Sequence, residues 1–420
     1  MPRLPILTLV AAAAFPALAC SDSAPEPSTS SSAEALRRHA PPRAIEPYKE
    51  LVIVHPSIVA DPVRTANAAD GVWSFRAIME RLAGDGDAVA FVTQWLATFH
   101  PQNDADVPAG ALIDRPGVDD LIARWPKASD GRIDLAQAPF RLLAITNRED
   151  LGTSPGNFGE GRFVFGLVDP ATGAGLPMTV IFEFGLPGPV GADPSFDQLW
   201  RQLWAQTWHT LGDFPFGDPF YGDVLEGITT AFSASGAELH QLRTNEIALA
   251  SNPMVTGRPG PTDIWELREW HLGADGQLHA AHVKNTPDGS FDHDPTLAQL
   301  ILGNASTIAD GSIDLAQTPD GAAFLGFESH ERFGATRWSF DGVPDPLRGQ
   351  FAMLTCNGCH NAEQPTLPPL VGGVGFYQVS PLVPPSGATD DTAGQERLSP
   401  FMTQTDVARR VAFMQQLLTP

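Results

Sequence analysis

Cysteine is scarce in this chain, with three in 420 residues. That excludes a disulfide-dense scaffold. Basic residues are also few. Lys+Arg number 26 against 49 Asp+Glu, a formal net charge of −23. An acidic surface repels phosphate backbones, so nucleic acid is not an expected partner. After the N-terminus no apolar run reaches the ~18 residues of a membrane-spanning helix. What is present is a 43% hydrophobic, 18% charged composition. It is sufficient for a sizeable core and argues against global disorder. The length suits two or three domains.

The first residues read as an export signal. Arg3 is the only charge before Asp22, and Leu4 to Phe15 form an apolar stretch of the right length for a secretory core. Ala17-Leu18-Ala19-Cys20 comes next. This resembles the lipobox of bacterial lipoproteins, in which the Cys becomes the lipid-bearing first residue. The resemblance implies a signal peptide over 1–19, lipidation at Cys20, and a periplasmic or outer-membrane-anchored location. Ser21 after the Cys points to the outer membrane. An ordinary cleavage site at Ala17-x-Ala19 stays open as the alternative. Residues 20–47 are rich in Ser, Pro and Ala, lack apolar periodicity, and read as a disordered tether.

One motif carries chemistry. Cys356-Asn357-Gly358-Cys359-His360 is C-x-x-C-H, the attachment signal for c-type haem. Two thiols three positions apart reach two vinyl groups on one porphyrin edge. The next residue then offers an imidazole to the iron. Zinc would want two more ligands at matching spacing, and a thioredoxin-like pair would want a βαβ setting. Neither pattern is present. The cysteine count is consistent with one lipid and two thioethers.

The flanks resemble a small mono-haem cytochrome c. Asp345-Pro346 opens a helix with Asp as cap, and Leu347, Phe351 and Leu354 share a face leading into Cys356. Thr405-Asp406 caps a last helix with Val407, Val411, Met414 and Leu418 on one stripe. The resemblance implies one covalent haem c, with His360 as proximal ligand and Met402, just before the last helix, as distal ligand. Other sixth ligands stay open: Met353, Met414, His330, Gln378 and Tyr377, or an open site.

Residues 48–344 read as a large mixed α/β domain. Leu51 to Val54, Arg141 to Thr146, Arg162 to Val168 and Met178 to Phe184 read as strands. Trp73 to Ala83, Ala88 to Phe99 and the Trp200–Trp204–Trp208 stripe read as helices. Gly273-Ala-Asp-Gly276 reads as a hairpin turn between Trp265–Leu272 and Gln277–Lys284. Asp130 to Pro139 and Asp310 to Pro319 echo each other at a D-G-x-I-D turn. The EF-hand positions that would surround it lack carboxylates, so calcium is not expected. Gly152-Thr-Ser154-Pro-Gly156 matches a nucleophile pattern, but Pro155 lacks the N–H an oxyanion hole needs, and a glycine-rich loop is the better reading. His271, His279 and His282 are not expected to share a metal.

The fold class expected is therefore α+β. A large mixed α/β domain is succeeded, over 345–420, by a small all-α cytochrome c-like haem domain. The function expected is an electron-transfer lipoprotein with a redox protein partner that the sequence does not identify. A peroxidase-like haem enzyme with an open iron site, or a surface binding protein with accessory haem, are the alternatives.

Overall fold

The computed structural model describes residues 43–104, 107–152, 155–189, 194–256, 264–309, 311, 313, 315, 324–331, 338–360, 377–384 and 389–419. Cys20 and the stretch expected to be an export signal lie outside the described residues, as does Ser154. Among the described residues no helix is long and apolar enough to cross a membrane.

The fold is mixed α and β, built, among the described residues, on one eight-stranded sheet. Its strands are β1 (Val52–Ile53), β2 (Phe140–Arg148), β3 (Glu160–Val168), β4 (Gly175–Gly185), β5 (Leu239–Glu246), β6 (Trp265–Leu272) and β7 (Leu278–Ala281) in that spatial order, with β8 (Glu328–Glu331) pairing β6. Every pair is antiparallel. Seven strands thus keep sequence order, and only β8 returns across the sheet. The hairpin expected at Gly273–Gly276 joins β6 to β7, with Gly276 at φ 74° as the turn requires.

The helices are α1 (Phe75–Ala83), α2 (Ala88–Ala97), α3 (Gly117–Arg124), α4 (Pro194–His209), α5 (Pro219–Ser233), α6 (Pro295–Gly303), α7 (Asp345–Leu354), α8 (Cys356–His360) and α9 (Val407–Leu418), besides shorter turns. Ser74 and Asp87 cap α1 and α2, each accepting first-turn amide N–H groups on its side chain. The aromatic stripe of α4 buries Trp204 and Trp208. Asp345 is the first residue of α7 rather than its cap, and Pro344 precedes it. At α9 the expected cap is also different. Asp406 already has helical φ and ψ and ends a wide π-type turn, Met402–Asp406, its carboxylate going to Arg409 and Arg410 instead.

The two sheet faces differ in kind. Successive strand residues point to opposite sides. One face stacks Phe163, Phe165, Phe182, Phe184, Leu242 and Trp270 against the helices as the main core. The other carries Arg162, Glu183, Gln241, Arg243, Asn245, Trp265 and Glu269.

The C-terminal residues share the main core. Val379, Leu398, Met402, Val407 and Met414 belong to the same buried cluster as the sheet aromatics. Tyr377 Oη donates to Pro177 O at 2.5 Å, and Arg141 Nη2 to Pro381 O at 3.0 Å. Lys49 pairs with Asp391 at 3.3 Å. Contacts among the described residues therefore cross position 344/345. At the other end Arg43, inside the stretch expected to be tether, is tied to Asp213 at 3.0 Å and Glu50 at 2.8 Å.

The two D-G-x-I-D turns behave alike where described. Gly131 and Gly311 have φ of 84° and 75°, and Ile133, Leu135, Ile313 and Leu315 are all buried. The repeat is a turn that inserts two aliphatic side chains into a core.

Candidate functional site

The C-x-x-C-H segment forms α8, one turn of helix set against α7. Thr355 starts it. Its hydroxyl donates to Ala352 O at 2.7 Å, and receives the Trp338 indole N–H at 3.0 Å and the Gly358 N–H at 3.3 Å. Phe351 anchors α7 in a second apolar cluster with Trp338, while Leu347 and Leu354 pack at its margin. Gly358 is where the two helices touch. A Cβ there would stand 1.9 Å from Ala352 O, so the close approach depends on glycine.

The motif lies on the polar face of the sheet. The Cys356 N–H donates to Thr286 Oγ1 at 3.0 Å. The Cys356 side chain packs against Ile247, Trp265, Leu267 and Val283. The His360 ring stacks on Trp265, with centroids 5.3 Å apart and planes 23° from parallel. Asn245 Nδ2 lies 3.5 Å from His360 Nδ1.

A ladder of charges crosses the strands around this spot. Arg162 pairs with Glu160 at 2.5 Å and Glu183 at 3.0 Å. Arg243 pairs with Glu183 at 3.2 Å and Glu269 at 2.8 Å. A second group joins the end of β2 to α9. Arg148 pairs with Asp150 at 2.8 Å, and Arg409 with Asp150 at 2.8 Å and Asp406 at 2.9 Å. Burial alone would raise the Asp406 carboxyl, but Arg410 and Arg148 beside it hold it below its ordinary value.

Both thiols are half-buried. Burial pushes the Cys356 thiol up, partly opposed by Arg243. Burial, with Cys356 and Asp406 nearby, pushes Cys359 up to about 12.

Met402 is brought to the motif by a chain of three hydrogen bonds. Gln378 Nε2 donates to Cys359 O at 3.2 Å. Ser399 Oγ donates to Gln378 Oε1. The Met402 N–H donates to Ser399 Oγ at 3.1 Å. Met402 itself is buried, in the π-type turn ahead of α9. Such wide turns are common at functional sites.

The other sixth-ligand candidates are engaged elsewhere. Gln378 spends its amide on this bracket and Tyr377 its hydroxyl on Pro177. Met414 is 1% exposed in the main core, and Met353 sits half-buried on α7. His330 faces Glu266 across β8 and β6 and pairs with Glu328 at 3.0 Å. Trp265, the residue before Glu266, carries His360. His330 therefore belongs to the opposite sheet face.

The remaining histidines are apart. His271 meets Glu269, His279 meets Asp275, and His282 meets Leu325 O. Among the described residues no group of three or more His, Cys, Asp or Glu is placed to hold a metal ion.

Sequence reasoning singled out the motif and Met402. It missed Asn245, Trp265, Thr286, Gln378 and Ser399 as their supports. The usable signal was the polar alternation Gln241-x-Arg243-x-Asn245, which marks a strand face that is not core.

The donors fit a covalent haem in kind: two thiols and an imidazole on one helical turn, with a buried methionine whose backbone N–H is linked by hydrogen bonds to the same turn. The chain matches no known protein family, no curated protein and no solved structure.

Proposed function

We propose that this chain is an exported electron-transfer lipoprotein carrying one covalent haem c. Cys356 and Cys359 hold the porphyrin edge, His360 is the proximal ligand and Met402 the distal one. Cys20 carries the lipid that anchors the protein at the outer membrane. Residues 345–420 form the haem-bearing, cytochrome c-like part, and the rest forms its platform. The observation that carries this reading is the hydrogen-bond bracket from Cys359 through Gln378 and Ser399 to Met402. It links the backbone of a methionine to the C-x-x-C-H turn.

A haem bound there supplies one-electron chemistry at iron. The chain's own groups direct that chemistry. His360 and Met402 would hold the iron of such a haem, which would disfavour small-ligand chemistry and favour outer-sphere transfer. The net charge of −23 steers a basic redox partner from a distance.

The test is the optical spectrum of the denatured, pyridine-treated protein. Wild type should show two-thioether haem, and Cys356→Ser or Cys359→Ser should lose it. In the folded protein Met402→Ala should lower the reduction potential and admit carbon monoxide. Intact two-link haem in either Cys variant would sink the assignment. Ready carbon monoxide binding by wild type would instead favour the haem enzyme.

A further inference from the structure

Five buried ionisable side chains meet on the sheet face away from the motif. Glu246 ends β5, Glu266 and Arg268 lie on β6, Glu328 opens β8, and Arg115 reaches in from the segment before α3. Arg115 is 1% exposed, Arg268, Glu246 and Glu266 are 0%, and Glu328 is 8%. Arg115 pairs with Glu246 at 2.5 Å and with Glu266 at 3.0 Å. Arg268 pairs with Glu266 at 2.9 Å. These four side chains balance, two guanidiniums against two carboxylates. Glu328 is the odd carboxyl. It stands 4.0 Å from Arg268, its Oε2 accepts the Ile113 N–H at 2.7 Å, and its side chain is hydrogen-bonded to that of Glu266. Two carboxyl groups bond to each other only with a proton between them, because the ionised form is acceptor-only.

We propose that Glu266 and Glu328 share one proton, and that losing it unlatches β8 from β6. Three carboxylates against two guanidiniums would bury one uncompensated negative charge, which a low-dielectric interior penalises. The shared proton removes that charge. Burial, with Glu328 beside it, pushes Glu266 well above its ordinary value against the pull of Arg268 and Arg115. The other titratable neighbours among the described residues do not change this balance. Tyr377 faces Glu246 and Arg115 as a neutral phenol that donates to Pro177 O. His100, next to Phe99 in this wall, is engaged by Asp114 and Asp119. His330 is half-buried, meets Glu328 at 3.0 Å, and gives the pair its route to solvent. Once the proton leaves, one movement restores the balance. β8 is four residues long, pairs with β6, and carries the odd carboxyl. Lifting it hydrates Glu328 and leaves the other four side chains neutral as a set. α8 packs on β8, so the C-x-x-C-H turn loses a neighbour at the same moment. The latch is independent of the haem reading.

The experiment uses the full chain in a Glu149→Gln background, so that Glu149 adds no buried acid of its own. Glu266→Gln keeps a donor toward Glu328 and removes the titration. The two proteins are compared from pH 5 to pH 9.5 by the infrared band of protonated carboxyl groups and by amide hydrogen exchange over residues 328–331. At pH 7 the background protein should show a carboxyl band that Glu266→Gln lacks. As that band fades with rising pH, exchange at 328–331 relative to Glu266→Gln should quicken about tenfold per pH unit, one proton being released per opening. Glu328→Gln removes the same odd charge, should be equally flat with pH, and stands in for Glu266→Gln should that variant not fold. Absence of the difference band at pH 7 would overturn the shared proton. A band that persists to pH 9.5, or that fades with no change in exchange, would overturn the latch.

Discussion

Among single residues, Glu149 is the one whose state most plainly depends on the fold. It stands just after β2 and is 3% exposed, and among the described residues neither carboxylate oxygen has a hydrogen-bond partner. Burial pushes its pKa up to about 8 from an ordinary 4.5, the nearby Asn147 amide opposing only in part. The native state therefore holds this proton more tightly than the unfolded chain does. The stability tied to it is complete below about pH 4.5 and is lost as pH climbs to about 8. The slope reaches about 1.4 kcal/mol per pH unit. Glu149→Gln removes the titration, so its urea midpoint relative to wild type should be higher at pH 8.5 than at pH 5. A difference that stays flat with pH would show that Glu149 ionises freely. None of this was legible in the sequence. Glu149-Asp150 reads there as an ordinary acidic pair, and only the fold brings two arginines to Asp150 rather than to Glu149.

Among the elements, the contact between α7 and α8 is the tightest constraint on the motif. Gly358 has no room for a side chain against Ala352 O. Gly358→Ala should force the helices apart, at a cost of about 1–3 kcal/mol. Its urea midpoint should fall and, on the haem reading proposed above, its yield of two-link haem should drop with it. Unchanged values for both would mean that α8 shifts freely. Here the sequence was a good guide to elements and a poor one to their partners. Helices α1, α2, α4 and α9 and strands β2 to β4 showed in their apolar spacing, within a few residues at each end. The pairing of Glu183 with Arg162 and Arg243 did not show, because each lies alone in its own strand until the register aligns them. The motif was visible because its chemistry is local. Its platform was not, because Asn245 and Trp265 lie far away along the chain.

Over the whole molecule, the C-terminal segment works as a strap over the sheet. It supplies Val379, Leu398, Met402, Val407 and Met414 to the main core, and its Asp391 and Arg409 pair with Lys49 and Asp150. A chain ending at residue 340 should keep the sheet and its helices, whose aromatic core is largely its own. It should nevertheless unfold at lower urea than the full chain and bind a hydrophobic dye at the uncovered face. Equal midpoints and no dye binding would show that the strap contributes nothing to the core.

The nearly sequential strand order bears on how such a protein would be assembled. In a chain made N-terminus first, β1 to β7 are all complete by Ala281, well before Cys356 emerges. The motif arrives at a platform that is ready to close on it. Once α8 docks, Cys356 packs against Ile247, Trp265, Leu267 and Val283, yet both thiols keep part of their surface exposed. A platform finished before its motif arrives would hold the two thiols in place for whatever is attached to them afterwards.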